Sequence, residues 1–137
     1  MTNDNPDIRW KQRFTHYQKA FSLLEQTMKI ETPSDAERAG LIQFFEMSFE
    51  LAWKVLKDYL EEEGFSNVVS PRETVKQAFQ AGLIQDGHIW IEALKDRNLT
   101  VHTYEEKIAL EVERKIRTLY FPALSELNRD FSEKANG

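Results

Sequence analysis

The sequence predicts an all-α protein, an antiparallel up-and-down bundle of four to six helices. Three observations favour this fold class. Apolar residues recur at helical spacing, capping signals divide the chain into segments of helical length, and only five glycines and four prolines occur in 137 residues. The length suits one domain with one core. We therefore expect residues 1–137 to form a single domain, with its core at about residues 8–128 and frayed ends.

The first predicted helix spans about Pro6 to Met28 and ends before Thr32 and Pro33. Its large apolar residues alternate at spacings of four and three, which places them on one stripe of a helix. This stripe consists of Trp10, Phe14, Tyr17, Phe21, Leu24 and Met28.

The second predicted helix begins at a capping box, Ser34 to Glu37, and ends at Gly64. It is apolar on more than one face, and its aromatic residues include Phe44, Phe45 and Phe49. A surface helix needs only one apolar stripe. Two interpretations follow: the helix lies at the centre of the bundle, or one of its faces packs against a second copy of the chain.

Three further helices follow the same capping logic. Ser70 to Glu73 forms a second capping box, with proline at the first helical position, and Gly82 ends that helix. Asp86 is placed to cap a fourth helix. Thr103 to Glu106 forms a third box and opens a helix that continues until Pro122 kinks or restarts it.

Composition narrows the function classes. The chain has no cysteine, which excludes disulfides and thiolate metal sites. A net charge of −5 argues against broad electrostatic binding of nucleic acid. It does not exclude a small site formed by a local cluster of charges. No segment has the roughly 18 apolar residues of a membrane span. The first residues are polar and acidic, unlike a signal peptide, so we expect a cytoplasmic protein with no membrane partner.

Metal and cofactor sites are not predicted. Di-metal sites in helical bundles use paired Glu-x-x-His motifs. The residues three positions before His16, His88 and His102 are Arg13, Gln85 and Leu99. The chain also lacks a glycine-rich phosphate loop.

The segment from Arg97 to Tyr104 is the strongest candidate for chemistry. In one continuous helix, Arg97 and His102 would point about 140° apart. The fourth helix is expected to end near Asn98 and the next to begin at Thr103, and this break allows both side chains to face one cleft. Backbone N–H groups at a helix start favour a bound phosphate.

Arginine binds phosphate through two parallel hydrogen bonds, and histidine is suited to deprotonate a ribose 2′-hydroxyl. The spacing therefore favours phosphoryl transfer on RNA. A structural alternative remains open at this point, in which Arg97 pairs with Asp96 or Glu105 between helices.

Four segments resemble, in order, those of a known family: Leu51 to Leu60, Ser70 to Thr74, Ala81 to Ile84, and Asp96 to Tyr104. They are similar to the HEPN superfamily, in particular to the nucleotidyltransferase substrate-binding proteins. The HepT toxins of HepT–MntA toxin–antitoxin systems belong to this group. The resemblance covers about residues 8 to 128, and the R-x-x-x-x-H-x-Y signature is intact.

The resemblance implies a HEPN-like helical homodimer with the two motifs meeting at the interface. It implies a metal-independent endoribonuclease with Arg97 and His102 as the catalytic pair and Asn98 as a polar supporter. Tyr104 matches the tyrosine that a partner minimal nucleotidyltransferase, an MntA-like antitoxin, modifies with AMP. Two His102 side chains in a dimer would supply one acid and one base for RNA cleavage.

A second function class stays open. The older family name implies a non-catalytic subunit that binds substrate or nucleotide for a two-component nucleotidyltransferase. The sequence lacks the Gly-Ser and Asp-x-Asp elements of a nucleotidyltransferase active site, so that activity would reside in the partner.

Overall fold

The computed structural model describes residues 6–98, 102 and 104–137. The helices are α1 (Pro6–Met28), α2 (Asp35–Glu62), α3 (Pro71–Gln80), α4 (Gly87–Arg97), α5 (Glu106–Lys115) and α6 (Phe121–Asn136), with a π-helical turn, Ile116–Tyr120, between the last two. The described part of the chain contains no strand. The all-α prediction is confirmed.

Helices α1 and α2 pack as an antiparallel pair. Arg13 Nε lies 3.1 Å from Asp58 Oδ2, and Arg9 Nη1, one turn earlier on α1, lies 3.8 Å from Glu61 Oε1, further along α2. The predicted stripe of α1 faces both α2 and α6, since Trp10 contacts Tyr59 of α2 and Phe131 of α6. Met28 is half-buried at its end, and its other members are buried. Burying large aromatic and aliphatic side chains is the main source of stability for such a helix pair.

Helix α2 lies at the centre of the bundle and contacts α1, α3, α5 and α6. Phe45 and Phe49 are buried in the core of this chain, whereas Phe44 is half-buried. The first interpretation of the apolar faces is therefore confirmed for Phe45 and Phe49. Their assignment to an interface with a second copy is wrong, because neighbouring helices of the same chain cover them.

The predicted caps are formed to different degrees. At Ser34 both hydrogen bonds of the capping box are present: Oγ accepts from the Glu37 N–H at 3.1 Å, and Glu37 Oε1 accepts from the Ser34 N–H at 2.9 Å. At Ser70 only the first half exists, because the Glu73 carboxylate bonds to a glutamine one turn later. Asp86 precedes α4 without a side-chain cap, and its backbone carbonyl accepts the first helical hydrogen bonds.

The π-helical turn precedes Pro122. A proline has no N–H for the carbonyl four residues back, and its ring would clash with that carbonyl. The wider turn avoids the clash, and the Phe121 N–H bonds to the Ile116 carbonyl five residues back. The predicted restart at Pro122 is thus confirmed. Helix α6 continues to Asn136 and carries the buried Phe131. No helix in the described residues is long and apolar enough to cross a membrane.

Glu113 on α5 joins three parts of the fold. Its carboxylate accepts from Arg38 Nε on α2 and from Arg117 Nε in the π-helical turn, each at 2.8 Å. Arg117 also donates to the carbonyls of Met28, the last residue of α1, and of Ile30 in the loop after it. Burial alone would raise the pKa of Glu113, but the hydrogen bonds from the two arginines outweigh it and lower that pKa.

Candidate functional site

The break between α4 and α5 is present. Arg97 is the last residue of α4, the exposed Asn98 follows it, and α5 begins at Glu106. The predicted capping box is wrong in its cap position, since Glu105 is the N-cap of α5 and makes no side-chain cap bond. Thr103 itself lies outside the described residues. The Glu105 N–H donates to the His102 carbonyl at 3.0 Å, which forms a turn, and helical bonding begins only after it.

Arg97 reaches across to α2. Its Nη1 lies 2.8 Å from Oε2 of Glu50, and the Arg97 side chain is 25% exposed. The sequence left open an ion pair between helices in which Arg97 binds Asp96 or Glu105. The structure contains such an ion pair, but its carboxylate is Glu50. Glu50 gave no signal in the sequence, because the contact joins residues 47 positions apart on two separate helices.

His102 and Tyr104 are both exposed, and Tyr104 retains 79% of its accessible surface. Their ring centroids are 6.3 Å apart with the planes tilted by 51°. The two side chains therefore present one polar and aromatic surface before α5. That Arg97 and His102 face a common cleft stays a prediction, because the segment that joins them lies largely outside the described residues.

A groove of about 470 Å³ adjoins Tyr104. Residues of the first turns of α2 and α5 line it, among them Asp35, Arg38 and Glu106. The Arg38 guanidinium is occupied by ion pairs to Asp35 at 3.0 Å and to Glu113 at 2.8 Å. The charged groups of the groove beside the Tyr104 phenol are thus Glu106 and the ion pair between Asp35 and Arg38.

A buried polar cluster lies behind the end of α4. Asp96 is 6% exposed and accepts a hydrogen bond from the Tyr120 hydroxyl. It also forms an ion pair with Lys115, whose Nζ lies 3.1 Å from Asp96 Oδ2. Lys115 also lies 3.1 Å from Glu92. Burial and the hydrogen bond to Asp96 raise the pKa of Tyr120, so its hydroxyl stays protonated as a donor. The cluster attaches the residue before Arg97 to the π-helical turn.

Within the described residues, no three histidine, aspartate or glutamate side chains come close enough together to hold a metal ion. The site residues that the structure describes are thus an arginine with a carboxylate partner, an amide, an imidazole and a phenol. Such groups bind anions and transfer protons.

Comparison with known proteins assigns the chain to a family. A family model described as "Nucleotidyltransferase substrate binding protein like" matches residues 12–133. The chain belongs to this family. The predicted HEPN and HepT relationship is confirmed by the same match and by the relatives below.

One curated relative is the probable ribonuclease HepT of Haemophilus influenzae, 31% identical over 108 residues, which are 68% of this chain and 74% of the relative. A crystal structure from Thermus thermophilus superposes with a TM-score of 0.73 at 34% identity, over 86% of this chain and 97% of that one. A structure from H. influenzae, described as the fold of a substrate-binding domain of a nucleotidyltransferase, gives a TM-score of 0.75 at 28% identity, over 85% and 97% of the two chains.

Proposed function

We propose that this protein is a HepT-like toxin, a metal-independent endoribonuclease whose Arg97 and His102 act at the cleft of a homodimer. A partner minimal nucleotidyltransferase of the MntA type neutralises it by adding AMP to Tyr104. One observation carries the proposal: Arg97, His102 and Tyr104 lie from the last residue of α4 to just before α5, in a chain 31% identical over 108 residues to a probable ribonuclease.

In the proposed reaction the ribose 2′-oxygen attacks the adjacent phosphorus and the 5′-oxygen leaves. The products are a 2′,3′-cyclic phosphate and a 5′-hydroxyl. Arg97 stabilises the charge on the non-bridging oxygens, and His102 exchanges a proton with a reacting oxygen. Asn98, exposed next to Arg97, is available to hydrogen-bond the RNA backbone. This focused site is compatible with the acidic character of the whole chain.

The proposed neutralisation requires the partner enzyme to reach the Tyr104 hydroxyl, and the Tyr104 side chain is exposed. The phenol oxygen would attack the α-phosphorus of ATP, pyrophosphate would leave, and the phenolic proton would pass to a base of the partner enzyme. The resulting diester adds negative charge and bulk to a ring whose centroid lies 6.3 Å from that of the His102 ring. Like-charge repulsion and steric exclusion would then keep an RNA backbone away.

Expression of the protein without a partner tests the ribonuclease. We expect growth arrest and cleavage of cellular RNA, both abolished in Arg97→Ala and in His102→Ala. His16→Ala, which removes an exposed histidine from α1, serves as the matched control and is expected to keep both effects. Intact RNA with purified wild-type protein would refute the proposal.

Co-expression with the cognate nucleotidyltransferase tests the control step. We expect the peptide that carries Tyr104 to gain the mass of AMP and the RNA to stay intact. Tyr104→Phe should show no added mass and should cleave RNA despite the partner. An unmodified wild-type peptide together with full protection of RNA would show that neutralisation uses another contact.

A second candidate is a non-catalytic subunit that binds substrate or nucleotide for a nucleotidyltransferase. The description of the H. influenzae structure, the net charge of −5 and the ion pair between Arg97 and Glu50 favour it. Under this alternative the purified protein leaves RNA intact. It then binds ATP or its partner equally well with and without the His102→Ala change.

A further inference from the structure

A carboxylate lies directly beside the proposed phosphate-binding arginine. Oε2 of Glu50 is 2.8 Å from Nη1 of Arg97, and Nζ of Lys54, one turn further along α2, is 3.9 Å from Oε1 of Glu50. Two cations, Arg97 and Lys54, thus form ion pairs with this carboxylate. The Glu50 side chain is 38% exposed, so a ligand bound at Arg97 can reach it.

The shape of a guanidinium determines where a bound phosphate lies relative to Glu50. Arginine presents its N–H donors along the edges of a planar fork, so one guanidinium can contact a carboxylate at one edge and a phosphate at another. A phosphate held by Arg97 would then lie a few ångströms from the Glu50 oxygens. The attacking 2′-hydroxyl is adjacent to that phosphate, which brings it within reach of the carboxylate.

RNA cleavage by transesterification needs two proton transfers, and the R-x-x-x-x-H-x-Y run of each chain has one histidine. A carboxylate and an imidazole, placed on either side of a phosphate bound by arginine, supply both transfers without a second histidine. Glu50 is the carboxylate that the fold brings to this arginine.

We propose that Glu50 is the general base of this site and that His102 is its general acid; this assignment rests on the proposed ribonuclease function. The Glu50 carboxylate accepts the 2′-hydroxyl proton as the 2′-oxygen bonds to phosphorus. The bond between phosphorus and the 5′-oxygen breaks, and the imidazolium of His102 donates a proton to that oxygen. Proton exchange with water afterwards restores both groups.

Leaving-group chemistry separates the two roles. Single-turnover rates are measured on two RNA substrates, one with the natural linkage and one in which sulfur replaces the bridging 5′-oxygen at the cleaved phosphate. The 5′-sulfur leaves as a thiolate and needs no proton from a general acid. Glu50→Gln should slow both substrates by about 100-fold or more, the size typical of a lost general base. His102→Ala should be slow on the natural linkage and recover most of its activity on the sulfur substrate.

The dependence of rate on pH gives a readout that a merely structural role would not change. A reaction that uses one general base and one general acid has a bell-shaped profile, so the wild-type rate should rise with pH on the acidic side and fall on the basic side. Glu50→Gln keeps an oxygen acceptor for Arg97 and should lose only the acidic rise. Glu50→Asp keeps a retracted carboxylate, and should be slower than wild type with the acidic rise retained.

Glu61→Gln is the matched control, because Glu61 is also a carboxylate of α2 that pairs with one lysine, Lys57 at 2.9 Å, and one arginine, Arg9 at 3.8 Å. It should leave rates and profile unchanged. Far-UV circular dichroism melts of each variant verify the fold. The assignment is overturned if Glu50→Gln stays within about threefold of wild type, if its profile keeps the acidic rise, or if the sulfur substrate restores its rate. Absence of cleavage by the wild type refutes the proposed function itself and is seen before any variant is compared.

Discussion

Glu113→Gln tests how the loop between α1 and α2 is held against α5. The carboxylate bonds to Arg38 and Arg117 at 2.8 Å each, and its side chain is 12% exposed. Glutamine keeps one acceptor oxygen but loses the charge, leaving two arginines in a partly buried site. Hydrogen bonds to charged groups contribute about 1.5–3 kcal/mol, so we expect a loss of about 2 kcal/mol in the free energy of unfolding.

For a chain of this size, such a loss lowers the melting temperature by about 6–10 °C. Urea unfolding followed by far-UV circular dichroism measures the free energy at neutral and acidic pH. Because the folded-state pKa of Glu113 is lowered, its stabilising contribution is complete above its unfolded-state pKa of about 4.5. That contribution is lost as the pH falls through the folded-state pKa, so the gap between wild type and variant should shrink there.

Glu111→Gln is the control, because that glutamate forms an exposed ion pair with Arg114 on the same helix. We expect it to change stability much less than Glu113→Gln. Equal effects of the two changes, or a gap for Glu113→Gln that widens towards acidic pH, would refute the reasoning.

Three other predictions concern single contacts. Tyr120→Phe removes the hydrogen bond to the buried Asp96 and should cost about 1.5–3 kcal/mol in unfolding free energy, measured with urea; an unchanged value would contradict the contact. Phe45→Ala should cost about 3–5 kcal/mol by the same measurement, because the ring is fully buried. Ser34→Ala removes the acceptor for the Glu37 N–H and should cost about 1 kcal/mol, and Ser34→Gly should cost less.

Periodicity and capping signals predicted most of the helices because these are local properties of the chain. The stripe from Trp10 to Leu24 is buried as expected, and the box at Ser34 is complete. The start of α5 was misplaced, because a turn at His102 delays the helix to Glu106, and a capping pattern does not encode that turn.

The candidate site was predictable only in part, for a physical reason. The run from Arg97 to Tyr104 is contiguous, so spacing and resemblance can identify it. Glu50 is placed next to Arg97 by the packing of α2 and α4, and Asp96 is placed next to Tyr120 by the packing of α4 on the π-helical turn. Neither contact follows from the sequence of one helix.

The π-helical turn also fixes the rotational phase between α5 and α6. Each residue of a helix advances the side-chain direction by about 100°. Removing one residue from Ile116–Tyr120 would therefore rotate the buried face of α6, including Leu124 and Phe131, away from the aromatic residues of α1. Tyr120 would lose its alignment with Asp96 in the same step. The number of residues in this turn sets which face of α6 meets the core. A change in its length should therefore disturb the packing more than a substitution within it.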